Sequence, residues 1–155
     1  MAAEMHVQLA AAKVRHGLIE GDNLDMAYPA PWEHHLAERN LAAMWANYRE
    51  LGYRRLIYTN TASVLGHVSA ELKAAIGGDP RITPVLLTCE DTTARQRLAQ
   101  REIGTALDWH IQRSEKMARQ LDRRAPVTVH RVATDNRTTG DIATEIISLA
   151  AWLPG

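Results

Sequence analysis

Gly17-Leu18-Ile19-Glu20-Gly21-Asp22-Asn23-Leu24-Asp25 is the stretch on which the reading of the fold turns. A short apolar run meets a glycine and at once delivers two carboxylates, Asp22 and Asp25, with Glu20 beside them. In a parallel α/β sheet the chain leaves the core at the carboxyl ends of the strands, and ligands bind there. Gly21 lets the backbone turn at that point without a Cβ clash. An ordinary strand followed by a polar turn has the same local pattern, so the order of the remaining elements has to separate the two readings.

Upstream, residues 2–13 read as helix, with Met5, Leu9 and Ala12 on one face and alanine dominant. No strand and no capping residue precede it, so the chain opens in mid-unit. Downstream, Pro29 and Pro31 make 26–32 a loop. The helical period returns over 33–51, with Leu41, Met44, Trp45, Tyr48 and Leu51 on one face and Gly52 as a stop. A strand follows at Leu56-Ile57-Tyr58-Thr59, ending on Asn60-Thr61. Leu65, Val68, Leu72 and Ile76 then mark a helix closed by Gly77-Gly78-Asp79-Pro80.

A third strand is expected over 82–88, and Asp91 is placed to cap a helix over 92–102. Gly104 interrupts, and a longer helix runs from about 105 to 123 with Leu107, Ile111, Ser114, Ala118 and Leu121 facing inward. Pro126 introduces a fourth strand over 127–132, and Thr134-Asp135-Asn136-Arg137 form a polar turn. Thr138 with Asp141 reads as a capping box for the last helix, whose apolar face is Ile142, Ile146, Leu149 and Leu153. Strands alternating with helices imply a parallel sheet with right-handed crossovers and helices on both faces, a three-layer α/β architecture.

Composition narrows the functional classes. A chain of 155 residues is long enough for one core and reads as a single domain, 1–155. Its 18 basic and 18 acidic residues cancel, so no net field draws it to nucleic acid or to an anionic membrane. The lone Cys89 excludes an internal disulfide and fits a reducing compartment. No apolar run approaches the roughly 20 residues of a membrane span, and the N-terminus lacks a signal-peptide core. A soluble, cytoplasmic protein is the expectation.

This order of elements resembles the P-loop small-molecule kinases, the group that contains adenylylsulfate, gluconate, shikimate and nucleoside monophosphate kinases. In the adenylylsulfate and gluconate branches a strand ends in a glycine-aspartate pair that serves the acceptor, as Gly21-Asp22 does here. An arginine-rich helix and a lid follow a later strand in that group, matched by Arg95, Arg97 and Arg101 after Val85-Leu86-Leu87-Thr88, with Arg113 beyond. The turn that packs on adenine is matched by Thr134-Asp135-Asn136-Arg137. The resemblance implies an ATP-binding phosphotransferase that moves the γ-phosphoryl group to a small hydroxylated acceptor.

Within that resemblance the catalytic candidates are Asp22, as the acceptor-side carboxylate, and Arg97, Arg101 and Arg113, as cations of a lid at about 101–115. Candidates for acceptor binding are Asn23, Trp32, Arg39 and Asn60, and those for the nucleotide are Asp135 and Arg137. An arginine fork suits phosphoryl oxygens in a loose, highly charged transition state. Each residue also has a plainer reading: a turn aspartate, a solvated helix face paired with Glu90 or Glu102, a packed aromatic. His34-His35 is not a metal pair, because adjacent helical residues do not face the same way.

One element of the resemblance is missing. Neither G-x-x-x-x-G-K-[ST] nor G-x-G-x-x-G occurs in the sequence. Binding of ATP and Mg2+ is therefore conditional on a phosphate cradle upstream, and the resemblance places a strand and that motif within roughly 15–30 residues before the first helix. By resemblance that strand lies at the centre of the sheet, and without it strands 56–59 and 85–88 would stand apart with unpaired edges, so either upstream residues supply it or the sheet closes differently. The rival expectation is a non-catalytic nucleotide-binding or protein-interaction module that retains the fold.

Overall fold

The computed structural model describes residues 1–101 and 107–153, and the side chains of Trp32, Arg101 and 107–109 lie outside that description. The chain runs α1 (Ala2–Ala11), β1 (Gly17–Glu20), α2 (Leu36–Glu50), β2 (Leu56–Thr59), α3 (Gly66–Ile76), β3 (Val85–Thr88), α4 (Asp91–Arg101), α5 (Leu107–Arg124), β4 (His130–Ala133) and α6 (Thr139–Leu149). Short 3₁₀ turns occupy Gly21–Asn23 and Trp32–His34. The architecture is mixed α/β with parallel strands.

The strands form two separate pairs. β1 lies parallel to β2, with Gly17 opposite Leu56 and Glu20 opposite Thr59. β3 lies parallel to β4, with Val85 opposite His130 and Thr88 opposite Ala133. Among the described residues no ladder joins β2 to β3. Between the pairs lies a cavity of about 930 Å³ lined by all four residues of β2 and by Val85, Leu86 and Leu87 of β3. The open edges anticipated for 56–59 and 85–88 are thus present.

Burial follows the helical periods. α1 buries Met5 and Leu9 against α6, which contributes Ile142, Ala143, Ile146 and Ile147, with Ile57 and Val132 beneath them. Gln8 ties the two helices by donating to the Gly140 carbonyl at 3.0 Å and accepting from the Thr144 hydroxyl at 3.0 Å. α2 turns Leu41 and Trp45 inward, while Met44 and Leu51 of the expected apolar stripe are exposed. A second cluster joins Val64, Leu65, Leu121, Ala125 and Val129, and a third joins Ile19, Leu24, Leu41 and Leu72.

Several boundaries differ from the sequence reading, among them the start of the second helix at Leu36 rather than at 33. The third strand starts at Val85, three residues late, since Pro80 and Pro84 bracket its approach and proline has no amide for a ladder. The fourth starts at His130, because Pro126 closes a turn in which the Val129 amide reaches the Pro126 carbonyl at 3.0 Å and Val127 is left exposed. Asp91 is the first residue of α4 rather than its cap. The N-cap read for α6 forms, the Thr138 hydroxyl accepting from the Asp141 amide at 3.1 Å, but the Asp141 carboxylate accepts from the Thr138 hydroxyl at 2.6 Å rather than from the Thr138 amide as in a full capping box.

Candidate functional site

The carboxyl ends of β1 and β2 meet side by side, and the sequence places polar residues at both. β1 ends at Glu20, and the Gly21–Asn23 turn lifts Asp22 and Asn23 into solvent. β2 ends at Thr59, and Asn60 crosses over: its Nδ2 donates to Asp22 Oδ1 at 2.8 Å. Asn60 is itself held, since its Oδ1 accepts from the Ala62 amide at 2.9 Å and its carbonyl accepts from the Ser63 hydroxyl at 3.0 Å. Asp22 is therefore oriented by a side chain that is fixed from behind. Among the described residues only Oδ1 of Asp22 takes a hydrogen bond, and the side chain is exposed.

Backbone packing below this pair depends on one glycine. A Cβ on Gly21 would lie 2.7 Å from the Thr59 carbonyl oxygen and would press on the Tyr58 hydroxyl. Glycine lets the end of β1 close onto β2, which brings Asp22 within reach of Asn60. Tyr58 sits under the turn with its phenol pushed up to about 12, first by burial and then by the negative field of Glu38, Asp22, Asp25 and Glu20. It stays a neutral hydrogen-bond donor throughout the physiological range. The Thr59 hydroxyl next to it is buried and has no hydrogen-bond partner among the described residues. From the loop side, Asn40 of α2 donates to the Leu24 carbonyl at 2.6 Å and pins the far end of the acidic turn.

A second constellation forms at the carboxyl ends of β3 and β4. Arg97 grips Thr134 in a fork, Nη1 donating to its hydroxyl at 2.7 Å and Nη2 to its carbonyl at 2.9 Å. The Thr134 hydroxyl passes the link on to the Thr88 carbonyl at 3.0 Å. Asp135 accepts from the Glu90 amide at 3.1 Å. The Thr93 hydroxyl and then that amide hold its carboxyl below the usual carboxylate range. Arg137 donates to the Ala133 carbonyl at 3.0 Å and pairs with Glu145 at 2.7 Å. Arg95 is engaged with Glu115 at 2.6 Å, joining α4 to α5.

The sequence candidates thus divide between the two strand pairs. Asp22, Asn23 and Asn60 gather at the β1–β2 end, and Arg97, Asp135 and Arg137 gather around the β4 turn. Arg39 is exposed on α2 and Arg113 is exposed on α5. Arg101 closes α4 and Trp32 opens a 3₁₀ turn, and both side chains lie outside the described residues, as does much of the expected lid at 101–115. Tyr58 and Asn40 were not singled out from sequence. Tyr58 reads there as an ordinary strand aromatic, and only the pairing of β1 with β2 puts it beneath the acidic turn.

The fit of Mg2+ with triphosphate can be tested on the residues themselves. Among the described residues no group of three histidine, cysteine or carboxylate side chains is arranged to hold a metal. Of the α4 arginines whose side chains are described, Arg97 is bonded to Thr134 and Arg95 to Glu115. These residues do not by themselves make a site for Mg2+ and triphosphate. No helix of the described residues is long and apolar enough to cross a membrane. Comparison with family models, curated proteins and solved structures returned no match.

Proposed function

We propose that this chain carries the acceptor-binding side of an ATP-dependent phosphotransferase that acts on a small hydroxylated molecule. The observation that carries the reading is the Asp22–Asn60 pair: an exposed carboxylate at a strand end, oriented at 2.8 Å by an amide that is fixed from behind. In this role Oδ2 of Asp22 accepts the acceptor's hydroxyl proton as its oxygen attacks, and Asn60 keeps the carboxylate in one rotamer. General-base assistance of this kind contributes roughly 10²–10⁴ in rate. Asn23 is the neighbouring group suited to the acceptor's other polar atoms, and Arg39 is offered from the exposed face of α2. Parallel strands alternating with helices support a three-layer kinase-like domain as the framework, and binding of ATP is conditional on a phosphate cradle that the described residues do not supply.

The bonds of Arg95 and Arg97 favour a second reading, a non-catalytic nucleotide-binding or interaction module. Cations already committed to protein partners stabilise turns rather than a transition state. The two readings part on the Asp22→Asn variant of the full-length protein. With a panel of polyol, sugar and nucleoside acceptors, phosphoryl transfer should fall by roughly 10²–10⁴ while ATP affinity is retained. Equal transfer by the variant, or ATP binding with transfer to no acceptor, selects the non-catalytic module.

A further inference from the structure

We propose that an arginine-lined recess at the amino ends of β2 and β3 binds a small molecule carrying linked phosphate groups. A net charge of zero conceals an uneven distribution. At its carboxyl end β1 delivers Glu20, Asp22 and Asp25. At the opposite end the chain approaches β2 through Arg54-Arg55 and β3 through Arg81, and Arg49 stands on the last turn of α2. All four arginines are exposed, and all four line the cavity between the strand pairs. β1 and β2 are four residues long, so their arginine end lies roughly 10 Å from the acidic turn.

The backbone builds the recess. Arg54 Nη1 donates to the carbonyls of Arg49 at 3.0 Å and Tyr53 at 2.7 Å, which fixes its guanidinium at the end of α2. The Arg49 guanidinium lies across Gly78, where a Cβ would sit 3.5 Å from Nη1. Gly78 has φ of 70°, a conformation glycine adopts without strain, so the turn passes under Arg49 and leads on to Arg81. Among the described residues no hydrogen bond or ion pair engages the side chains of Arg49, Arg55 and Arg81. Of the carboxylates adjoining them in sequence, Asp79 is taken by Lys73 at 2.6 Å and Glu50 is exposed on α2. Cations gathered this way raise the local potential and repel one another, and a bound anion relieves the repulsion.

The chemistry of the recess selects the ligand. A guanidinium offers its donors in a planar fork that matches phosphate oxygens. One phosphate is surrounded by two such forks, so four suit a chain of two or three phosphates. Ile76, Pro80 and Ile82 line the same recess and suit an apolar or ring-bearing body attached to that chain. A bilayer or a nucleic-acid duplex displays phosphates on a broad surface, which meets the rim of a recess without entering it. Phosphates held here lie at the far end of the strands from Asp22, out of reach of an acceptor bound there. The site is therefore separate from the cradle that phosphoryl transfer needs, and it stands whether or not the phosphotransfer reading does.

Calorimetric titration with inorganic tripolyphosphate, in the absence of any acceptor or nucleotide, tests the site. Saturable binding at one site per chain is expected, weakening as salt rises, with inorganic monophosphate at least roughly 10-fold weaker. Arg55→Gln and Arg81→Gln should each weaken tripolyphosphate binding by roughly 10-fold or more, because bonds between charged partners are lost. Arg124→Gln, on the exposed end of α5, should leave it unchanged. The unfolding midpoints of the Arg55 and Arg81 variants in urea should equal or exceed that of the parent, since neither side chain bonds within the protein. Absence of saturable binding overturns the proposal, as does equal binding by the Arg55 and Arg81 variants or an equal loss in Arg124→Gln. A fall in the unfolding midpoints overturns it by making these arginines structural. Capture by vesicles containing phosphatidylinositol bisphosphate, or by duplex DNA, without binding of tripolyphosphate overturns it in favour of a membrane or nucleic-acid surface.

Discussion

Gly21→Ala probes the contact on which the geometry of the acidic turn rests. The added methyl would sit 2.7 Å from the Thr59 carbonyl oxygen and 2.6 Å from Cζ of Tyr58, well inside ordinary van der Waals separation. The carbonyl belongs to β2, which is paired with β1 along its length, so it cannot move away without disturbing the ladder. Overpacking of this kind costs about 1–3 kcal/mol. For a chain of this size that corresponds to a fall in Tm of about 2–12 °C. Thermal and urea unfolding, followed by circular dichroism, would measure it. Gly140→Ala is the matched control, because its Cβ meets nothing nearer than the Thr138 hydroxyl at 3.7 Å and it lies in a helix. Alanine there should stabilise by up to about 1 kcal/mol. Tyr58→Phe added to Gly21→Ala should recover less than half the loss, since the ring carbon and the Thr59 oxygen remain. A Gly21→Ala protein within about 0.5 kcal/mol of its parent would refute the reasoning, and complete rescue by Tyr58→Phe would show that the backbone approach is not limiting.

Three further outcomes follow from the bonds described. Arg97→Ala removes two charge-assisted bonds to Thr134 and should lower stability by about 1–2 kcal/mol, with Arg97→Lys recovering little because an ammonium cannot reproduce the fork; unchanged urea unfolding together with lost nucleotide affinity would return Arg97 to phosphate binding. Thr138→Ala removes the cap of α6 and should cost about 1 kcal/mol, read as a fall in Tm of about 2–4 °C, whereas Thr138→Ser should cost much less. Tyr58, pushed up to about 12 from 10.0, binds its proton more tightly in the folded state. The stability it contributes is fully present below pH 10 and is lost as pH rises towards 12. In an absorbance titration at alkaline pH, Tyr58→Phe should remove a tyrosine ionisation near pH 12, and loss of one near pH 10.0 instead would contradict the burial and acidic field assigned to it.

Much of the local structure was legible in the sequence because it rests on short-range chemistry. The strand at 17–20 and the strand at 56–59 have their read boundaries, since apolar β-formers there are bounded by Gly21 and by Asn60. The Thr138–Asp141 cap was readable because a cap uses residues three apart and no distant partner. Proline was read correctly at 29 and 31 as a breaker. At 84 and 126 its effect was underestimated, and the strands there are shorter than their hydrophobic runs. The resemblance also led to the expectation that 56–59 and 85–88 could stand apart, and among the described residues no ladder joins them.

What chain order alone did not supply was the identity of partners. Asn60 could be named as a polar residue at a strand end, but its bond to Asp22 spans 38 residues and exists only because β1 pairs with β2 in this register. The same pairing brings Tyr58 under the acidic turn and leaves Gly21 no room for a side chain. Arg97 reads as a cation for phosphate in a helical pattern, yet the return of β4 beside β3 places Thr134 where its fork closes. Periodicity and turn chemistry act over a few residues, so sequence determined the elements and their ends. Hydrogen-bond partners are chosen by which strand edges come together, and that was decided by tertiary structure.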